Sequence, residues 1–201
     1  MIAIIDYDAG NLKSVEKALI LLGEDIVVTR DHDTIMKADK AILPGVGSFG
    51  DAMNKLNEYN LVDTIHEFVQ TKKPFLGICL GLQLMFDSSD ETPDVKGLSL
   101  LPGKIVRIPQ VDDLKIPHMG WNSLDITPGT RLFDGIANGS YVYFVHSYYL
   151  VADNEDVVAA TTEYGVHIHA AVEKDNIFAC QFHPEKSSDV GLKILSNFAK
   201  L

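Results

Sequence analysis

Two short runs hold side chains that do covalent chemistry when brought together: Gly77-Ile78-Cys79-Leu80-Gly81 and His183-Pro184-Glu185. The first follows Pro74-Phe75-Leu76 and leads into Leu82-Gln83-Leu84-Met85-Phe86, which has helical character. It reads as strand, sharp turn and helix with a thiol at the turn, the cysteine form of a nucleophile elbow. A strained turn that lifts one side chain out of a sheet needs neighbours without a Cβ, and the glycines supply them. A cysteine at a helix N-terminus meets free N–H groups and the positive end of the dipole, which favour thiolate over thiol. The bland alternative is a buried structural cysteine, since free cysteine is among the most buried residue types.

The second run closes the apolar stretch Phe178-Ala179-Cys180-Gln181-Phe182. In extended chain, residues i and i+2 share a face about 6–7 Å apart at Cα. Glu185 can then accept a hydrogen bond from one nitrogen of His183 while the other faces outward. Pro184 fixes its own φ and biases His183 toward extended backbone, which stiffens the pair. Cys79, His183 and Glu185 meet the requirements of nucleophile, general base and orienting carboxylate. Away from the elbow, the same run would be a solvated strand end.

A third stretch, Gly45-Val46-Gly47-Ser48-Phe49-Gly50, follows a strand and precedes a helix. Its spacing fits a dinucleotide loop, and a flavodoxin-like nucleotide-binding module using Gly45–Gly50 is the alternative function. That reading expects an acidic residue about 20 positions on, at the end of the next strand, for the ribose. Here that strand ends at Ile78-Cys79, with no acid. An oxyanion loop accounts for it better: N–H groups of Val46 and Leu80 would bind the tetrahedral oxyanion, one such donor being worth about 3–4 kcal/mol. Zinc-deaminase chemistry is excluded, because no P-C-x-x-C follows Glu185. His167 and His169 share a strand face, yet spacing supplies no third metal ligand. No metal and no cofactor is expected. Cys180, three residues before His183 in an apolar run, is expected on the opposite strand face, buried and inert.

These groups need a frame. Short apolar runs at Ile2–Asp6, Asp25–Thr29, Ala41–Leu43 and Pro74–Ile78 alternate with helical stretches. The helices are Leu12–Leu22, closed by Gly23, and one capped by Asp51 that runs to Lys72 with a break near Tyr59-Asn60. The span to Asp39 is polar and charged. This alternation predicts an α/β fold with a mostly parallel, flavodoxin-like central sheet flanked by helices. From Leu98 to Phe182 the rhythm changes to strands at Lys104–Ile108, Tyr141–Val145, Val157–Thr162, His167–Val172 and Ile177–Phe182, read as added antiparallel strands. A terminal amphipathic helix over Ser187–Leu201 is capped by Ser187 or Ser188. With no linker or repeat, residues 1–201 are expected to form one domain.

Composition agrees. Of 201 residues 46% are apolar and 22% charged, ordinary globular values, and the net charge of −11 argues against nucleic acid or an anionic membrane as partner. The opening apolar run is too short for a signal peptide, and no stretch approaches the roughly 20 residues that span a bilayer. Two cysteines make no disulfide framework, so a reducing, cytoplasmic setting is expected.

Together, Pro44-Gly45-Val46-Gly47, the Cys79 elbow with Leu82-Gln83, and His183-Pro184-Glu185 resemble class I (triad) glutamine amidotransferases. Asp6-Tyr7 with Gly10-Asn11-Leu12, Pro117–Asn122, Tyr143–Tyr148 and Lys186-Ser187 narrow the resemblance to the glutaminase subunits of imidazole glycerol phosphate synthase. Nearly the whole chain is covered, with the motifs in family order. Asp8-Ala9 departs from the more usual Gly-Met of the family. The loop Gly45-Val46-Gly47-Ser48 lacks the Gly-Gly-Glu-Ser of the related pyridoxal phosphate synthase glutaminases. The resemblance implies hydrolysis of L-glutamine to glutamate and ammonia, with Gly47, Gln83, Ser147 and Tyr148 holding the α-amino and α-carboxylate groups. It implies a heterodimer with a (β/α)8-barrel cyclase that receives the ammonia in histidine biosynthesis. Asn11, Trp121, Tyr143 and Lys186 fall where the family makes its subunit contact. On composition alone, core packing for Tyr148 and simple burial for Trp121 remain open.

Overall fold

The computed structural model describes residues 1–111 and 114–201. Strands β1 (Ile2–Ile5), β2 (Ile26–Thr29), β3 (Lys40–Leu43) and β4 (Phe75–Ile78) alternate with helices α1 (Leu12–Leu21), α2 (His32–Lys37), α3 (Phe49–Glu58) and α4 (Leu61–Gln70). After β4 come α5 (Leu80–Leu84), β5 (Ser88–Ser89), β6 (Gly103–Arg107), β7 (His118–Ser123), β8 (Asp125–Ile126), β9 (Tyr141–His146) and β10 (Tyr148–Ala152). Then follow β11 (Val158–Glu163), β12 (His167–Lys174), β13 (Ile177–Cys180) and α6 (Ser188–Ala199).

The main sheet runs β2-β1-β3-β4-β13-β12-β10-β6-β5, with β11 and β8 branching from β12. Its first five strands are parallel, in the 2-1-3-4 order of flavodoxin-like folds followed by β13, and the antiparallel strands extend from β12. The apolar runs explain the layering. In β1, Ala3 and Ile5 pack with α2, α3 and α4, while Ile2 and Ile4 pack with α1 and α6. The same alternation separates Phe75 from Leu76 and Ile78 in β4, and Ala179 from Phe178 and Cys180 in β13. A strand buried on both faces reads as continuously apolar, with polar groups left for its ends. The ends of β4 and β13 therefore hold Cys79 and His183 on adjacent parallel strands, at the carboxyl edge where open α/β sheets place their sites.

Several expectations are corrected. The polar stretch before Asp39 contains α2, whose first turn is capped by the Asp31 carboxylate accepting from Thr34 N at 2.8 Å. Ser48 rather than Asp51 caps α3, and Asp51 lies in its first turn. Ser187 holds the N-cap position of α6 as expected, but its hydroxyl makes no capping bond, because it is used by His183 and β9. Strands β7 and β10 were not among the expected segments; β7 pairs with β9 in a separate two-stranded sheet. No helix among the described residues is long and apolar enough to cross a membrane.

Candidate active site

Cys79 leaves β4 with φ 55° and ψ −108°, a backbone conformation that costs energy unless its surroundings impose it. The surroundings are tight. A Cβ on Gly77 would lie 2.4 Å from Met85 Sδ and 2.8 Å from the Gly81 backbone; one on Gly81 would lie 1.8 Å from the Leu43 carbonyl oxygen. Both glycines are therefore required by close approach, and the turn between them has nowhere to relax. The Cys79 N–H continues the ladder by donating to the Cys180 carbonyl at 2.8 Å, which ties the elbow to the neighbouring strand.

That strand delivers the imidazole. His183 N donates to the Tyr143 carbonyl at 2.9 Å, and Ser187 Oγ donates to the His183 carbonyl at 2.6 Å while accepting from Tyr143 N at 2.9 Å. The His183 backbone is thus fixed from β9 and from the start of α6. His183 Nδ1 lies 2.7 Å from Glu185 Oε1, with both side chains wholly buried. Asn11 Nδ2 donates to the same oxygen at 2.6 Å. Nε2 of His183 is buried and makes no regular hydrogen bond among the described residues. Burial alone would lower its pKa, yet the Cys79 sulfur and the Glu185 carboxylate outweigh burial and push His183 up to about 9. Tyr7, whose hydroxyl donates to the Pro44 carbonyl at 2.8 Å, is pushed well above its ordinary value by burial and by Cys79.

The sulfur opens on a cavity of about 380 Å³. Val46, Gly47, Gln83, Ser147 and Tyr148 all line it, so the residues expected to hold an amino acid stand around the nucleophile. Glu91, which sequence reasoning passed over, lines the same cavity and accepts from Phe49 N at 2.7 Å. Its carboxylate thus occupies the N-terminus of α3. This disfavours the nucleotide alternative for Gly45–Gly50, because a pyrophosphate would need that helix end free of negative charge. The Leu80 N–H, expected to face an oxyanion, here donates to the Gly45 carbonyl at 3.2 Å.

Cys180 is wholly buried, and burial raises its thiol pKa further from use. Strand β13 ends at Cys180, so side-chain alternation does not carry on to His183; Cys180 shares an apolar layer with Cys79 and is set apart by having no access to the cavity. The four residues expected at a subunit contact divide. Trp121 is half-exposed and packs edge-on against Tyr143, 6.1 Å between centroids, from the facing position of the β7–β9 pair, and Lys186 is exposed. Asn11 is half-buried and also donates its amide to Glu185. Gln181, also missed, donates from Nε2 toward Cys79 Sγ at 3.8 Å. Its one local signal is a polar side chain inside the apolar run before His183; the extended i,i+2 spacing expected for His183 and Glu185 does not apply, since the strand ends at Cys180 and Pro184–Lys186 form a 3-10 turn. Glu91 carries no such local signal.

Residues 3–201 match the family model described as glutamine amidotransferase class-I. Imidazole glycerol phosphate synthase subunit HisH 1 of Methanococcus maripaludis is 49% identical with all of both chains covered. Subunit HisH of Methanothermobacter thermautotrophicus is 51% identical over all of this chain and 98% of its own. The solved PurLQS structure from Thermotoga maritima shares the fold at a TM-score of 0.75 and 20% identity, covering 99% of this chain and 97% of that one. The chain belongs to the class-I glutamine amidotransferases and, within them, to the family of imidazole glycerol phosphate synthase HisH subunits.

Proposed function

We propose that residues 1–201 act as one glutaminase domain that hydrolyses L-glutamine and hands ammonia to a cyclase subunit in histidine biosynthesis. The observation that carries this reading is the buried His183–Glu185 pair, 2.7 Å apart, at the end of the strand beside the one bearing Cys79.

The Cys79 sulfur attacks the side-chain amide carbon of glutamine. His183 gives its Nε2 proton to the departing nitrogen, which leaves as ammonia, and a glutamyl thioester remains on Cys79. The neutral imidazole then takes a proton from water, whose hydroxide releases glutamate, and the sulfur and imidazolium are restored. Glu185 holds the ring throughout, and Asn11 holds Glu185. In the cavity, Gly47, Gln83, Ser147 and Tyr148 position the amino-acid end, and Glu91 supplies the negative charge that suits an α-ammonium group. Val46 and Leu80 are the oxyanion donors; for Leu80 this requires its N–H to be released from the Gly45 carbonyl, so the donors are not both poised in this conformation.

Trp121, Tyr143 and Lys186, with exposed Met119 and Tyr141 on the same two strands, form the docking face for a (β/α)8-barrel cyclase. Trp and Tyr are the residue types that anchor such interfaces. We place the complex in the cytoplasm, and no nucleic acid or membrane surface takes part. The test is an ammonia-release assay with and without the cyclase and its nucleotide ligand. Activity should be low for the isolated chain, rise with the liganded partner and vanish in Cys79→Ala but not Cys180→Ala. Equal activity in the two variants would remove the assignment.

A further inference from the structure

A second buried polar chain reaches the same sulfur, separate from the triad. Gln181 is wholly buried with Nε2 3.8 Å from Cys79 Sγ, and its Oε1 accepts from Gln83 Nε2 at 3.0 Å. Gln83 Nε2 also donates to the Tyr148 carbonyl at 3.1 Å. That carbonyl lies 2.9 Å from His146 Nδ1. His146 Nε2 lies 3.0 Å from His118 Nδ1, and His118 Nε2 lies 3.3 Å from Asn122 Nδ2. Asn122 Nδ2 also donates to the Glu163 carbonyl at 2.9 Å.

Every direction in this chain is fixed by chemistry. A backbone carbonyl only accepts, so the Gln83 end facing Tyr148 is its NH2 group; the Gln181 end facing Gln83 is then its oxygen, and the end facing Cys79 is its NH2. From the far side, Asn122 presents NH2 to Glu163 and to His118, so His118 Nε2 accepts and Nδ1 carries the proton. His146 Nε2 then accepts, and its Nδ1–H donates to Tyr148. The two readings meet at the Tyr148 carbonyl without contradiction, but only while both imidazoles are neutral, since a second ring proton would set N–H against N–H. Burial pushes His118 down to about 4 and His146 down to about 3, in keeping with that requirement.

We propose that Gln181 is a further catalytic residue, donating an amide N–H to the Cys79 sulfur, and that the His118–His146 pair positions it through Tyr148 and Gln83. This rests on the glutaminase reading of Cys79. A hydrogen bond donated to a sulfur favours its charged form, so the effect is on the reactivity of the nucleophile. The other titratable groups around the sulfur are His183 with Glu185 behind it, Tyr7 and Cys180, and Glu91, His146 and Tyr148 lining the same cavity; none is altered in the test below.

The experiment measures iodoacetamide alkylation of Cys79 against pH by peptide mass spectrometry, in the full-length wild type, Gln181→Met and His118→Phe. Methionine keeps the length and removes the donor; phenylalanine keeps the ring between Phe144 and Tyr164, which stack on His118 at 4.7 and 3.9 Å. In Gln181→Met the neutral-pH rate should fall about tenfold, the size of one hydrogen bond to a charged acceptor, with the profile moved to higher pH. His118→Phe should move it the same way by less. A Gln181→Met profile superimposed on wild type overturns the proposal, and an unmoved His118→Phe profile overturns the positioning role. Should Gln181→Met fail to fold, Gln181→Leu, which also removes the donor, takes its place with the same expected and overturning results. Alkylation needs no glutamine turnover, so a wild type without glutaminase activity would sink the functional reading and leave this test readable.

Discussion

Three buried histidines stand near the cavity, and their surroundings push them in opposite directions. His183 faces a carboxylate and a sulfur and is raised to about 9; His118 and His146 face each other, a carbonyl and an amide, and are lowered to about 4 and about 3. Burial opposes charge in all three. What differs is whether an acidic partner outweighs it. The triad wall can therefore hold a proton to give to leaving ammonia, and the β7–β9 wall can hold a fixed hydrogen-bond direction. Each would fail in the other's place.

Replacing Glu185 by Gln should erase the difference most completely. The ring keeps a hydrogen-bond partner and loses its counter-charge, so glutaminase activity of the assembled enzyme should fall about 100-fold, within the range of general acid–base catalysis. A loss under threefold would mean the carboxylate only orients the ring. Asn11→Ala should have a smaller effect of the same kind, about tenfold on kcat/KM, because it removes one charge-assisted hydrogen bond at Glu185 Oε1. An Asn11→Ala chain that keeps its isolated activity and loses only cyclase stimulation would place Asn11 at the interface instead.

Stability against pH sharpens the comparison with the smallest expected effect. His118 and His146 have folded pKa values below the 6.5 of free imidazole, so from 6.5 down to about 4 for His118 and about 3 for His146 the unfolded chain binds protons the folded chain does not. Stability should fall as pH drops through that window. His183 has the reverse sign: its contribution is full below 6.5 and is lost as pH rises through about 9. Urea midpoints measured across pH in wild type and His118→Phe should show a shallower acid limb in the variant and an unchanged alkaline limb.

The sheet was legible because strands buried on both faces must be apolar throughout, as Ile2–Ile5 and Phe75–Ile78 are. The elbow was legible because glycines bracket a single polarizable atom, and the helix break because Asn60 takes φ 54° between α3 and α4. Helix α2 was hidden by polar residues, of which Asp31 is its cap. Strand β7 has exposed Met119 and Trp121 and a glycine between them, so it lacks the usual apolar-in alternation. Strand β10 is parted from β9 by Ser147 alone, without Pro or Gly to mark the join. Glu91 and the His118–His146 pair were out of reach for a different reason: their roles exist only through contacts distant in sequence.

Catalysis by this site requires the Cys79 sulfur to be the atom that bonds to substrate. Incubating the assembled enzyme with a glutamine analogue whose side-chain amide is replaced by an electrophilic diazoketone, then mapping the adduct by mass spectrometry, tests this directly. One adduct on the Cys79 peptide, with Cys180 unmodified and activity lost in step with labelling, is the expected result. Full inactivation with the label on Cys180, or on no cysteine, would contradict it.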